Sequence, residues 1–181
     1  MQKDNYYIIT GGPGAGKISL INELQTKGFK CIREAAREII RQQVQIKGRA
    51  LPWADIKEYS KLMLDQSIID YQTNIDLEET IFFDRGIPDT FGYEQLMNLP
   101  YNSHLDFVLK DFRYNPVAFI LPPWKEIYET DSERKQDFAI AVETFHVMRA
   151  TYRSSGYRLI ELPCIPVEER ADFILRHLKM V

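Results

Sequence analysis

The stretch Tyr6-Tyr7-Ile8-Ile9-Thr10-Gly11-Gly12-Pro13-Gly14-Ala15-Gly16-Lys17 decides how this chain is read. An apolar run suited to a buried strand passes into a glycine-rich turn. The turn ends in a lysine, where a helical pattern begins. Glycine, four residues, glycine, lysine is the spacing of a phosphate-binding loop. Its glycines let the backbone take positive φ and bring N–H groups close to phosphate oxygens. The helix beginning near Gly16 aims its positive end at the same phosphates, and Lys17 reaches the β and γ phosphates. The pattern then asks for Ser or Thr to hold magnesium, but the chain has Ile18, with a serine only at Ser19. Ser19 lies about 100° further round the helix and does not replace that hydroxyl without distortion. The expected nucleotide-binding residues are therefore Gly11, Gly12, Pro13, Gly14, Ala15, Gly16, Lys17, Ile18 and Ser19.

Outward from this loop the chain alternates strand and helix. Strands are expected at 5–10, 29–32, 80–83, 117–121 and 157–162. Helices are expected at 16–26, 34–46, 54–74, from Pro88 to before Pro100, over roughly 103–111, up to about Ser154, and from Val167 to Leu178. Leu20, Ile21 and Leu24 mark the inner face of the first helix. Ala35, Ile39, Ile40 and Val44 mark the second, and Ile56, Tyr59, Leu62, Met63, Gln66 and Ile69 the third. Short, nearly continuous apolar strands separated by helices predict a parallel sheet covered on both faces. Right-handed crossovers make this a three-layer α/β/α sandwich with five strands. One domain over 1–181 is expected, with a lid at 122–135.

Composition excludes some functions. A net charge of -3 argues against a general nucleic-acid binder. No apolar span approaches the ~20 residues a transmembrane helix needs, so no membrane span is expected and the cytoplasm is the default location. Cys31 and Cys164 are expected to be buried free thiols rather than a disulfide.

Ligands of such sheets bind beyond the carboxyl ends of the strands. That rule gathers the candidates. Glu34 follows the second strand, with Arg37 one turn on. A carboxylate there can bind an acceptor hydroxyl or act as general base; an i,i+3 surface pair is the alternative. Asp84 and Arg85 follow the third strand. Asp84 is expected to hold magnesium or take an acceptor proton, or else to cap the turn at Gly86. Arg85 offers a planar fork for a phosphate or acceptor. Arg134, in the charged segment after the fourth strand, is a candidate to close over the phosphates. Arg37 and Arg85, with Glu34, form the expected acceptor site.

The chain resembles the AAA-type P-loop domains related to the ribosylnicotinamide kinase domain of NadR. The resemblance rests on residues 8–17, on Glu34-Ala35-Ala36-Arg37-Glu38 and on Phe83-Asp84-Arg85-Gly86-Ile87-Pro88-Asp89. It continues in Leu121-Pro122-Pro123-Trp124, in Ile127-Tyr128 with Asp131 and Arg134, and in Val167-Glu168-Glu169-Arg170. It implies a nucleoside/nucleotide-kinase-like P-loop NTPase fold, a triphosphate donor with Mg2+, and a small-molecule acceptor. Ile18 departs from the family pattern and puts the chemical step in question.

Three functions follow from these residues: an ATP-dependent phosphotransferase acting on a small molecule, an ATP or GTP hydrolase, and a catalytically weak nucleotide-binding switch. No guanine-recognition motif is present, so ATP is the expected donor and GTP the second candidate. If residues 11–17 hold the triphosphate, Lys17→Ala abolishes its binding in calorimetry; unchanged binding would remove the assignment.

Overall fold

In the computed structural model, which describes residues 2–128 and 137–180, five strands form one sheet in the order β2-β3-β1-β4-β5, and all neighbours are parallel. The strands are β1 (Tyr6–Gly11), β2 (Lys30–Ile32), β3 (Ile81–Asp84), β4 (Val117–Leu121) and β5 (Arg158–Glu161). Seven helices connect or flank them among the described residues: α1 (Lys17–Thr26), α2 (Ala36–Gln45), α3 (Ile56–Thr73), α4 (Ile87–Leu96), α5 (Ser103–Asp111), α6 (Phe138–Ser154) and α7 (Val167–His177).

The two faces of the sheet explain the apolar strands. Successive side chains point to opposite faces, and both faces carry helices, so both alternate sets must be apolar. Tyr6, Ile8, Ile81, Phe83 and Ala118 meet α3, α4, α5 and α6 in one core. Ile9, Phe82, Phe119 and Leu121 meet α1 and α7 in the other. β1 lies in the middle, between β3 and β4. Its carboxyl end therefore opens between the ends of its neighbours, which is where the phosphate-loop sequence begins.

Helix ends follow local chemistry. The Asp55 side chain caps α3 at the Glu58 N–H, Asn102 caps α5 at Leu105, and Asp137 caps α6 at Ile140. The α3 stripe differs from the sequence expectation. Tyr59, Ser60, Leu64 and Tyr71 are buried, whereas Ile69 is half-exposed. The same buried face carries a hydrogen bond from Ser60 to Glu94. On α2 only Ile39 is buried, and Val44 faces solvent. The cysteines are free, but Cys31 is only half-buried and Cys164 is exposed, in the proline-flanked turn after β5. Of the expected lid, 122–128 is described and contains one 3-10 turn, Lys125–Ile127; residues 129–135 lie outside the described residues. Among the described residues no helix is long and apolar enough to cross a membrane.

Phe119 is fully buried in the core between the sheet and α7. Phe119→Ala is expected to lower stability by about 3–5 kcal/mol, measured as a reduced denaturant midpoint with an unchanged slope.

Candidate active site

A cavity of about 1050 Å3 opens at the carboxyl edge of the sheet. Its lining includes residues 13–19, Glu34, Arg37, Asp84, Arg85 and Arg170. The loop after β1, the segment after β2 and the turn after β3 are thus brought to one place.

The phosphate loop is shaped by close packing on its outer side. A Cβ at Gly12 would lie 2.6 Å from the Ala141 carbonyl oxygen of α6, so only glycine lets that helix approach. Gly14 has φ +72, and a Cβ there would meet the Tyr128 ring at 2.4 Å. The loop is also tied from across the chain. Arg170 of α7 donates to the Ala15 carbonyl at 3.0 Å and to the Ile165 carbonyl at 2.7 Å. Its guanidinium lies 4.5 Å from the centre of the Trp124 ring. Trp124 is thus a packing partner of the arginine that holds the loop.

Lys17 is buried, and its Nζ donates to the carbonyls of Gly11 at 3.2 Å and Gly12 at 3.3 Å. Burial pushes its pKa down, and Arg85 adds repulsion, while Asp84, Glu34 and Asp89 pull the other way. Ile18 is 48% exposed and faces the cavity, and Ser19 is exposed beside it.

Asp84 ends β3 and is 6% exposed. Its Oδ1 is buried without a hydrogen-bond partner among the described residues. Burial raises its carboxyl above the usual range, against the pull of Lys17. Asp84 does not cap the turn at Gly86. That task falls to Asp89, whose Oδ2 accepts from the Gly86 N–H at 2.9 Å. A buried carboxylate oxygen with no partner is costly; a ligand with protons or positive charge would satisfy it.

Arg85 takes the left-handed conformation, φ 73. Its Nε donates to Glu34 at 2.7 Å and its Nη1 to Asp89 at 2.9 Å. The partner of Glu34 is therefore Arg85, 51 residues away, while the exposed Arg37 contributes a weaker field that also favours the Glu34 carboxylate. Burial alone would raise the Glu34 carboxyl, but Arg85 and Lys17 outweigh it and hold the group below its ordinary value. The same carboxylates overcome burial at Arg85 and keep it protonated. Arg134 lies outside the described residues.

Asp89, to which no pattern in the sequence assigns a task, joins the parts of this site. Its Oδ1 accepts from the Thr10 hydroxyl and from Arg85; its Oδ2 accepts from Gly86 and from the Tyr152 hydroxyl of α6. An acid three residues after a glycine N-cap is a helix-start signal that could have found the Gly86 contact. Nothing local in the sequence announces Thr10 or Tyr152 as its partners. For magnesium the chain offers Asp84, and Ile18 has no donor atom. Among the described residues no group of three or more His, Cys, Asp or Glu is arranged to hold a metal. One carboxylate with phosphates and waters remains a workable donor set for magnesium.

A family model described as an AAA domain matches residues 6–170. The chain belongs to this AAA-domain family. A search of curated proteins returned no match. Among solved structures, deoxyadenosine kinase from M. mycoides with bound dATP is similar at TM-score 0.59 and 16% identity, covering 96% of this chain and 99% of that one. NadR protein in complex with NR is similar at TM-score 0.68 and 16% identity over 94% of this chain and 50% of that one. Thymidylate kinase from Candida albicans is similar at TM-score 0.68 and 13% identity, covering 97% and 91%. The AAA-domain chain thus has a P-loop kinase-like fold related to that of NadR.

The Glu34–Arg85 pair predicts an acid-sensitive element of stability. The Glu34 pKa is lower in the folded chain than its ordinary value of about 4.3. Its contribution is complete above that ordinary value and is lost as pH falls through the lower folded value. Glu34→Gln is therefore expected to be less stable than the parent at pH 6, with the gap closing below about pH 4 in denaturant titrations.

Proposed function

We propose that the AAA-domain chain is an ATP-dependent phosphotransferase that moves the γ-phosphoryl group to a hydroxyl of a small molecule. The observation that carries this reading is the continuity of the cavity. Its lining extends from the phosphate loop past Asp84, Glu34 and Arg85 onto side chains of α3, α4 and α6. A hydrolase needs room only for water beside the donor, whereas this cavity of about 1050 Å3 continues onto three further helices.

In this reading the loop N–H groups and Lys17 hold the donor phosphates, so Lys17 exchanges the Gly11 and Gly12 carbonyls for phosphate oxygens. Asp84, together with the donor phosphates, would hold magnesium, and that ion would neutralise charge during transfer. Glu34, kept ionised by Arg85, accepts the hydrogen bond of the acceptor hydroxyl and orients it. Taking the acceptor proton is the alternative task for Asp84 should it not hold the metal, since its Oδ1 has no partner among the described residues. Arg85 presents its fork between donor and acceptor, and the segment 122–135, with Arg134, closes over them. ATP is the favoured donor and GTP the second. The function belongs to a cytoplasmic chain in this proposal, with 1–181 working as one domain.

Ile18 favours one further reading. A half-exposed isoleucine where magnesium is usually held suits a nucleotide-binding switch with slow chemistry. Release of ADP from ATP and of GDP from GTP, with magnesium and a panel of nucleoside acceptors, separates the readings. Acceptor-dependent release with a phosphorylated product is expected. Acceptor-independent phosphate release means a hydrolase, and tight nucleotide binding without either means the switch. Ile18→Thr is expected to raise turnover and sharpen its magnesium dependence; no change in either would contradict the metal argument.

A further inference from the structure

Arg170 is a charged side chain, 5% exposed, and its hydrogen-bond partners among the described residues are neutral carbonyls. Its Nε donates to Ile165 in the turn after β5, and its Nη1 donates to Ala15 in the loop after β1. One face of the guanidinium lies on the half-buried Trp124 ring, in the segment after β4. Burial pulls its pKa down, and no carboxylate among the described residues opposes that. A guanidinium taken out of water is costly unless its protons are used. Here they are used to join three strand-end segments at one point.

The effect of the Ala15 contact follows from the geometry of one peptide. A trans peptide is planar, with its C=O and N–H on opposite sides. The Ala15 carbonyl is drawn toward Arg170, so the Gly16 N–H of the same peptide points away from that side chain. Gly14 and Gly16 have left-handed φ, +72 and +87, and Ala15 between them does not. Alternation of this kind turns successive N–H groups toward one concavity suited to an anion. The N–H groups of Gly14, Ala15 and Gly16 donate to no backbone carbonyl among the described residues. Glycine at position 16 also admits the arginine, since a Cβ there would lie 3.1 Å from Nη1. A flipped Ala15–Gly16 peptide would put the Ala15 oxygen where the N–H now points, and that oxygen would repel phosphate.

We infer that Arg170 is a positioning residue: by holding the Ala15 carbonyl outward it keeps the Gly16 N–H turned toward the donor phosphates, and so sets the affinity of the loop for polyphosphate. Trp124, which supports the guanidinium face, serves the same end from the segment after β4. The inference rests on the reading in which residues 11–17 hold the donor phosphates. It does not depend on the acceptor or on transfer.

The test is calorimetric titration of ATP and of inorganic tripolyphosphate, each with magnesium, into the parent, Arg170→Met and Arg170→Lys. Methionine keeps an apolar contact with Trp124 but donates nothing; lysine keeps the charge and a donor but not the fork. Arg170→Met is expected to weaken both ligands by about tenfold or more, the scale of a hydrogen bond from a charged group. Arg170→Lys is expected to recover part of both losses. Trp124→Leu, which leaves the fork without its ring, is expected to weaken both ligands by one common factor, and it carries the comparison if Arg170→Met does not fold. Weaker ATP with unchanged tripolyphosphate would make Arg170 a contact of the base and overturn the inference. Unchanged affinities, or equal losses with lysine and methionine, would overturn it too. Lys17→Ala in the same titrations separates this claim from the loop assignment. ATP binding abolished by Lys17→Ala but untouched in Arg170→Met overturns the inference alone, whereas ATP binding untouched by Lys17→Ala removes both. A chain that binds ATP as expected here but transfers no phosphoryl group fails the phosphotransferase reading and keeps this inference.

Discussion

The Asp89 carboxylate is the interaction on which this site depends. It sits 5% exposed and receives four donors from three parts of the fold: the end of β1, the turn after β3, and α6. A buried carboxylate survives only when its oxygens are satisfied, and here both are. In return it fixes the Arg85 side chain, whose backbone holds a left-handed conformation that costs a side-chain-bearing residue about 1–2 kcal/mol. With Glu34 on its other edge, Arg85 is preset across the mouth of the sheet. The arrangement supplies position before any ligand arrives, and position is most of what phosphoryl transfer asks of a protein.

The charges around this clamp are nearly balanced within the cleft. Arg85 stands against Glu34 and Asp89, and Lys17 is buried on its own loop carbonyls. Asp84 is the member left over, with a buried oxygen that nothing among the described residues satisfies. The donor triphosphate would reorder that balance by drawing Lys17 away from the loop. Ile18 would make the reordering harder to complete, because a magnesium ion there would have one protein donor fewer. The loop itself is well supported for binding, since Arg170 ties it at Ala15 and α6 packs against Gly12.

How much of this was legible in the sequence follows from the range of each interaction. The phosphate loop, the five strands and the gathering of Glu34, Asp84 and Arg85 at one edge come from local pattern and a topological rule, and the structure has them. Helix faces were harder. The buried face of α3 includes Ser60, hydrogen-bonded to Glu94, which no periodicity of apolar residues records. Cys164 looked buried among apolar neighbours, yet the turn holding it faces out. Arg170 reaches the loop across 155 residues, and Tyr152 reaches Asp89 across 63. Such contacts are set by how helices pack on the sheet, so the residues were visible but their tasks were not.

Where a triphosphate binds, and what Lys17 does when it arrives, decides the function of this site. A crystal structure of the chain with a non-hydrolysable ATP analogue and magnesium tests this directly. The phosphates are expected to be cradled by residues 11–17, with Lys17 released from the Gly11 and Gly12 carbonyls onto them and Arg85 still held by Asp89. An analogue bound elsewhere, or Lys17 still on those carbonyls beneath a bound nucleotide, would contradict it.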